Sequence, residues 1–260
     1  MNGSLEYNSI QGQRTGKKIL YAVYLPQAYY LDPEQNFSVL YYLHGLNENH
    51  TSNFETIARW IETGINKHIL PPLVIVAPDG YENSMWVDSL DGKKPAETNL
   101  IKELIPSVEA RYRVRGNKKH RIISGFSMGG FGAVRLALKY SELFSLCVSM
   151  DGALHTLKTF KAIRSEIFTE IFQEDREYFK ANCVYHLSKN RTSTVRNKVT
   201  FFIAVGALSK FNQRFRKHLE EQGIKIIDQH YLEARCDHSV ESLLETSGDN
   251  LLHVLGSELS

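Results

Sequence analysis

Gly125-Phe-Ser-Met-Gly129 is the stretch that most limits what this chain can become. It reads G-x-S-x-G. Before it, His120-Arg-Ile-Ile-Ser124 is a short apolar run suited to a buried strand, and after it Gly130-Phe-Gly-Ala-Val-Arg-Leu-Ala-Leu-Lys-Tyr140 is helical in composition. A strand, a sharp turn and a helix in that order hold the central hydroxyl out at the end of a sheet, where an imidazole can take its proton. The flanking glycines are needed because side chains there would collide in so tight a turn. The pentapeptide alone is a common pattern. In this setting it marks Ser127 as a candidate nucleophile.

The remaining pattern supplies the sheet. Apolar runs bounded by turn residues recur at Lys18–Tyr24, Phe37–Leu43, Leu73–Ala77, His120–Ser124, Leu146–Met150, Val199–Val205 and Ile224–Leu232. Most are near-continuous Val, Ile, Leu, Phe and Tyr, as in strands covered on both faces. Helical spacing falls between them at Phe54–His68, Leu100–Tyr112, Gly130–Tyr140, Phe211–Gln222 and Val240–Leu255. The alternation predicts an α/β protein with a mostly parallel, doubly wound sheet and helices on both faces. Ser4–Ile10 and Lys18–Tyr24 are expected to form an antiparallel hairpin at one edge. Leu154–Asn197 breaks the rhythm and carries helix-like apolar spacing at Phe160, Ile163, Ile167, Ile171 and Phe172. It is expected to be a cap-like insertion over the carboxyl ends of the strands. No repeat or linker divides the 260 residues, so one domain is expected.

Composition removes several classes of function. A formal net charge of +2 gives no reason to invoke nucleic acid or an anionic membrane, and the basic stretch Arg111 to Arg121 reads as a solvated loop. Three cysteines, Cys147, Cys183 and Cys236, form no disulfide framework, and Cys147 reads as a buried thiol. No apolar run approaches the ~20 residues that span a bilayer, and the first residues are polar rather than signal-like. A soluble, reduced, cytoplasmic protein is the expectation, although a removed leader would leave the same residues. Asn49-His-Thr51 and Asn190-Arg-Thr192 match the glycosylation sequon but read as chance matches. No His/Cys/Asp cluster has metal spacing and no phosphate loop is present, so no cofactor and no metal are expected. Nothing fixes an oligomeric state.

A serine is a weak nucleophile until a base takes its proton and something orients that base. In this architecture the histidine falls on the loop after the last strand. His238, in Cys236-Asp-His-Ser239, fits that place, whereas His230 lies within the last strand and His253 within the last helix. The oxyanion that forms on attack needs two preorganised amides, each contributing about 3 kcal/mol. One is the amide of Met128, directly after the nucleophile. The loop Leu43-His-Gly-Leu-Asn47 offers the amide of Leu46 as the second, with Gly45 allowing close approach. His44 reads as a packing residue with a satisfied ring rather than a second base.

Tyr42-Leu-His-Gly-Leu46, Val76-Ala-Pro-Asp-Gly80, Asn83 with Trp86, and Gly125-Phe-Ser-Met-Gly-Gly-Phe-Gly-Ala133 together resemble the esterase D, or putative esterase, family of α/β-hydrolases. The likeness runs from about Lys18 to the C-terminal helix. It implies the α/β-hydrolase fold, a serine mechanism on a small-molecule ester, and the roles already given to Ser127, His238, Leu46 and Met128. It also implies that Trp86 lies near the substrate. Carboxylesterases, feruloyl and acetyl-xylan esterases, S-formylglutathione hydrolases and the antigen 85 acyltransferases share the pattern, so it does not specify a substrate.

One element departs from the pattern. The family usually carries its acid in G-x-x-D after the penultimate strand, where this chain has Gly206-Ala-Leu-Ser209. The strand after the nucleophile helix usually ends in Ser-Gly-Ala, and here it ends in Asp151-Gly-Ala153. Asp151 is therefore the candidate that orients His238 and stabilises its imidazolium. Asp237, adjacent to the histidine, and Glu241 are poorer placed, and a helix cap is the plain structural role for Asp151. A serine carboxylesterase acting on short-chain or compact aryl and sugar esters is the leading reading. Acyl transfer or thioester cleavage on the same machinery, and a degenerate hydrolase kept as a binding module, are the alternatives.

Overall fold

The structure is a computed structural model that describes residues 1–190, 198–224 and 231–259. Eight strands form one sheet: β1 (Ser4–Gln11), β2 (Lys18–Leu25), β3 (Ser38–Leu43), β4 (Leu73–Pro78), β5 (Arg121–Phe126), β6 (Leu146–Met150), β7 (Thr200–Val205) and β8 (Tyr231–Glu233), in the order β1-β2-β4-β3-β5-β6-β7-β8. The helices are α1 (Ala28–Leu31), α2 (Phe54–Asn66), α3 (Ala96–Thr98), α4 (Ile105–Arg111), α5 (Met128–Lys139), α6 (Leu157–Ile163), α7 (Ser165–Phe172), α8 (Arg176–Asn182), α9 (Val184–Asn190), α10 (Ser209–Glu221) and α11 (Val240–Leu259). β1 and β2 make the expected hairpin, and β2 also runs antiparallel to β4, whereas β3 to β8 are parallel.

Period-two packing places alternate residues of each central strand on opposite faces. On β3, Val39, Tyr41 and Leu43 join one apolar cluster with Trp86 and with Phe131 and Val134 of α5. Leu40 and Tyr42 join another with Phe54 and Ile61 of α2 and Leu243 and Leu255 of α11. Both faces are thus covered, which is why the strands lack the polar alternation of a half-wet sheet.

Register sets the site. Leu43 of β3 lies opposite Gly125 of β5, Phe126 opposite Met150 of β6, and Met150 opposite Ala204 of β7. Four strands therefore end at one level, and the next residues (His44, Ser127, Asp151, Gly206) emerge side by side. Strand order reverses at β3 and β5, the crevice where open α/β sheets hold their ligands.

Several elements differ from the sequence expectation. The helix expected over Leu100–Tyr112 starts earlier, at α3, passes through a π-helical stretch at Asn99–Leu104, and continues as α4. Pro106 lacks an N–H and its ring excludes the carbonyl four residues back, so the ladder widens just before it. The stretch Arg111 to Arg121 is not a plain solvated loop: Arg121 is buried, with Nε donating to Glu109 at 2.7 Å, and Arg113 lies over the Tyr29 ring at 4.1 Å. Of the strand expected at Ile224–Leu232, residues 225–230, including His230, lie outside the described residues, and Tyr231–Glu233 is β8. The second sequon also falls partly outside them.

The segment after β6 folds as α6 to α9, capped locally. Thr156 and Thr159 form a capping box at α6, and the Asp175 side chain accepts from Tyr178 N at α8. Phe160, Phe168, Phe172 and Phe179 pack ring to ring, with Phe172 and Phe179 centroids 4.9 Å apart. Among the described residues no helix is long and apolar enough to cross a membrane.

Candidate active site

Ser127 stands between β5 and α5 with φ 54° and ψ −112°, a conformation that costs a non-glycine residue energy unless its surroundings enforce it. They do. Its N–H donates to Met150 O at 3.0 Å, and its carbonyl accepts from Phe131 N at 3.1 Å and Ala153 N at 2.9 Å. The glycines fail to tolerate side chains for steric reasons: a Cβ on Gly125 would overlap the Gly129 backbone, and one on Gly129 would overlap the Leu43 carbonyl. The turn, α5 and the end of β3 are therefore in backbone contact.

His238 arrives on the loop between β8 and α11. Its Nε2 lies 2.9 Å from Ser127 Oγ, and its Nδ1 lies 2.6 Å from Asp151 Oδ2. A carboxylate oxygen only accepts, so Nδ1 carries the proton and Nε2 is left to accept from the serine hydroxyl. The Phe126 ring lies beside the imidazole at 4.7 Å. The Asp151 side chain is 1% exposed and that of His238 36%, so the carboxylate is sealed while the imidazole meets solvent.

Asp151 is held by the strand that lacks the expected acid. Its backbone has φ 44°, and its N–H donates to Ala204 O at 2.7 Å. Its Oδ1 accepts from Gly206 N at 2.9 Å and Leu208 N at 3.0 Å. Gly206-Ala-Leu-Ser209 thus supplies amides to the carboxylate in place of a carboxylate of its own. Asp237 and Glu241 are exposed.

The β3 loop lies across the start of α5. Gly45 N donates to Glu48 Oε2 at 2.6 Å and Asn47 N to Glu82 O at 2.7 Å, while the Leu46 amide between them meets no acceptor among the described residues. Met128 N–H, at the first position of α5, has no carbonyl to meet within the helix. His44 is buried, its Nδ1 lying 2.8 Å from Gly45 O and its Nε2 accepting from Gly80 N at 3.0 Å. Burial pushes its imidazole below the ordinary value.

Trp86 corrects an expectation. It is 0% exposed, with its indole wedged where Cβ atoms on Gly80 or Gly132 would overlap it. Its Nε1 donates to His44 O at 3.2 Å. A ring so enclosed does not touch a substrate; it packs beneath the β3 loop. Glu97 is also buried, and with Arg135, Lys139 and Tyr140 it forms a cluster that Asn182 of α8 joins. Burial alone would raise its carboxyl, but the Arg135 and Lys139 charges hold it down at about 2.

A cleft of about 370 Å³ opens beside Leu46, bounded by Asn47, Asn83, Arg164, Glu166 and Glu170. One wall therefore belongs to α6 and α7. Glu48, the amides of Gly206 and Leu208, and Phe126 were not singled out in the sequence, because hydrogen bonds made by loop backbone leave no residue-type signal. The three cysteines are free: Cys147 and Cys183 are buried, Cys236 half-buried, and burial raises the Cys147 thiol. Among the described residues no group of three or more His, Cys, Asp or Glu could hold a metal ion.

A serine in a strained strand-to-helix turn, on a parallel sheet of this order, defines the α/β-hydrolase class. Within it, the chain belongs to the putative esterase family, whose sequence model matches residues 12–230. An esterase of Mycobacterium tuberculosis is 41% identical over 86 residues, 31% of this chain and 18% of that protein. An endo-1,4-beta-xylanase/feruloyl esterase of Xylanibacter ruminicola is 28% identical over 169 residues, 59% of this chain and 22% of that protein. The chain thus spans under a quarter of the length of these relatives. A solved ferulic acid esterase superposes with a TM-score of 0.83 over 98% of both chains at 21% identity, a likeness of fold.

Proposed function

We propose that this protein is a serine carboxylesterase that hydrolyses short-chain or compact aryl and sugar esters through an acyl-enzyme. The observation that carries the reading is the unbroken line Ser127 Oγ, His238 Nε2 and Nδ1, Asp151 Oδ2, with contacts of 2.9 and 2.6 Å. In this mechanism Ser127 Oγ attacks the ester carbonyl as His238 takes its proton, and Asp151 stabilises the imidazolium. The free amides of Leu46 and Met128 would receive the oxyanion. His238 returns the proton to the departing alcohol. It then activates water to attack the acyl carbonyl, which releases the acid and restores Ser127.

The wall formed by α6 and α7 beside Leu46 supports the reading of this segment as a cap that limits substrate size. The aryl-ester part rests on the relative named as a feruloyl esterase. Purified protein should turn over p-nitrophenyl acetate or butyrate, and Ser127→Ala should abolish it. Undiminished turnover in that variant would overturn the mechanism.

A further inference from the structure

His44 does more than pack. Gly80 N–H donates to its Nε2, so Nε2 must be the bare nitrogen and the ring's proton must sit on Nδ1. Nδ1–H therefore donates to Gly45 O at 2.8 Å. That carbonyl and the Leu46 N–H belong to the same peptide plane. The planes on either side are tied by Glu48 and by the Glu82 carbonyl, and the Trp86 indole holds His44 O. Among the described residues the Leu46 N–H meets no acceptor, and the carbonyl of the same peptide is gripped by an imidazole.

We infer that His44 is a positioning residue for the oxyanion site: its Nδ1–H fixes the plane of the Gly45–Leu46 peptide and polarises its N–H toward the developing negative charge. A hydrogen bond accepted by the carbonyl of an amide strengthens the bond its N–H can donate, because the two polarise the same resonance system. A neutral ring is required throughout, since an imidazolium would set Nε2–H against Gly80 N–H. Burial favours the neutral form. The inference rests on reading the Leu46 amide as an oxyanion donor.

The test separates the two ends of the ring. In His44→Asn the side-chain amide reaches the place of Nδ1 and can still donate to Gly45 O. In His44→Gln the side-chain oxygen reaches the place of Nε2 and can still accept from Gly80, but the grip on the peptide is lost. With p-nitrophenyl butyrate, His44→Gln should lose roughly 10-fold or more in kcat with little change in KM, part of what a missing oxyanion donor costs. His44→Asn should stay within about threefold of the parent, since it keeps the polarising bond.

Equal losses in the two variants, or losses that follow their thermal unfolding midpoints, would overturn the inference. A parent protein without Ser127-dependent turnover would instead overturn the esterase reading beneath it. Where either variant fails to fold, the parent decides the matter by NMR. Labelling Ser127 with a fluorophosphonate should move the His44 Nδ1 proton downfield, as its bond to Gly45 O tightens. An unmoved resonance contradicts the role.

Discussion

At Asp151 a single side chain settles how the histidine is held. Its positive φ is unfavourable for a residue with a Cβ, yet it turns the carboxylate back along the strand ends toward His238. Two amides from Gly206 and Leu208 complete its coordination, so the charge is stabilised by backbone as well as by the ring. Asn at this position could donate to the imidazole through its amide nitrogen and favour the wrong tautomer. Asp151→Asn should therefore lower kcat by roughly 10⁴-fold while the protein stays folded. Steady-state kinetics beside a circular dichroism spectrum would measure this. A loss below about tenfold would assign Asp151 a structural role and leave a Ser–His pair.

Among the elements, the segment after β6 shows what a sequence can and cannot display. Its helices were legible from the apolar spacing of Phe160, Ile163, Ile167, Ile171 and Phe172, but the break between α6 and α7 leaves Ile163 exposed at the end of α6 while the other four are buried. What fastens the helices was not legible. Asn182 of α8 accepts from Arg135 of α5, and Arg135 in turn meets Glu97, three residues drawn from distant parts of the chain. Removing a charge from such a buried pair leaves the other uncompensated, so Glu97→Gln should destabilise the fold by roughly 3–5 kcal/mol in urea unfolding. A change within about 0.5 kcal/mol, the size of a surface substitution, would mean that the cluster is solvated in solution. Trp86 failed as a substrate contact for a related reason. Family likeness locates a residue along the chain, but only packing decides which side of the β3 loop its ring occupies. The strands were legible because continuous apolar runs follow directly from two covered faces, whereas the π-helical stretch before Pro106 is a widening of the backbone ladder that apolar spacing does not register.

For the whole molecule, buried histidines set the response to acid. Burial, reinforced by the Arg164 charge, lowers the His155 imidazole to about 4, and burial lowers His44 as well. Below about 6.5 the unfolded chain binds protons that these folded-state rings refuse. Stability should thus fall as pH drops from about 6.5 toward about 4, by roughly 1.4 kcal/mol per pH unit for His155, with His44 adding to the loss in the same direction. Glu97 extends the loss to lower pH, since its stabilising contribution is complete above about 4.5 and disappears as pH falls through about 2. Urea midpoints at pH 7 and pH 5 check this, and equal midpoints would contradict it. The central claim, that strand ends brought level by register make one hydroxyl reactive, is tested most directly by covalent labelling. Incubated with a fluorophosphonate and digested, the parent protein should carry the adduct on the peptide containing Ser127, and His238→Ala should remain unlabelled. An unmodified Ser127 in the folded parent, or equal labelling without His238, would contradict the account.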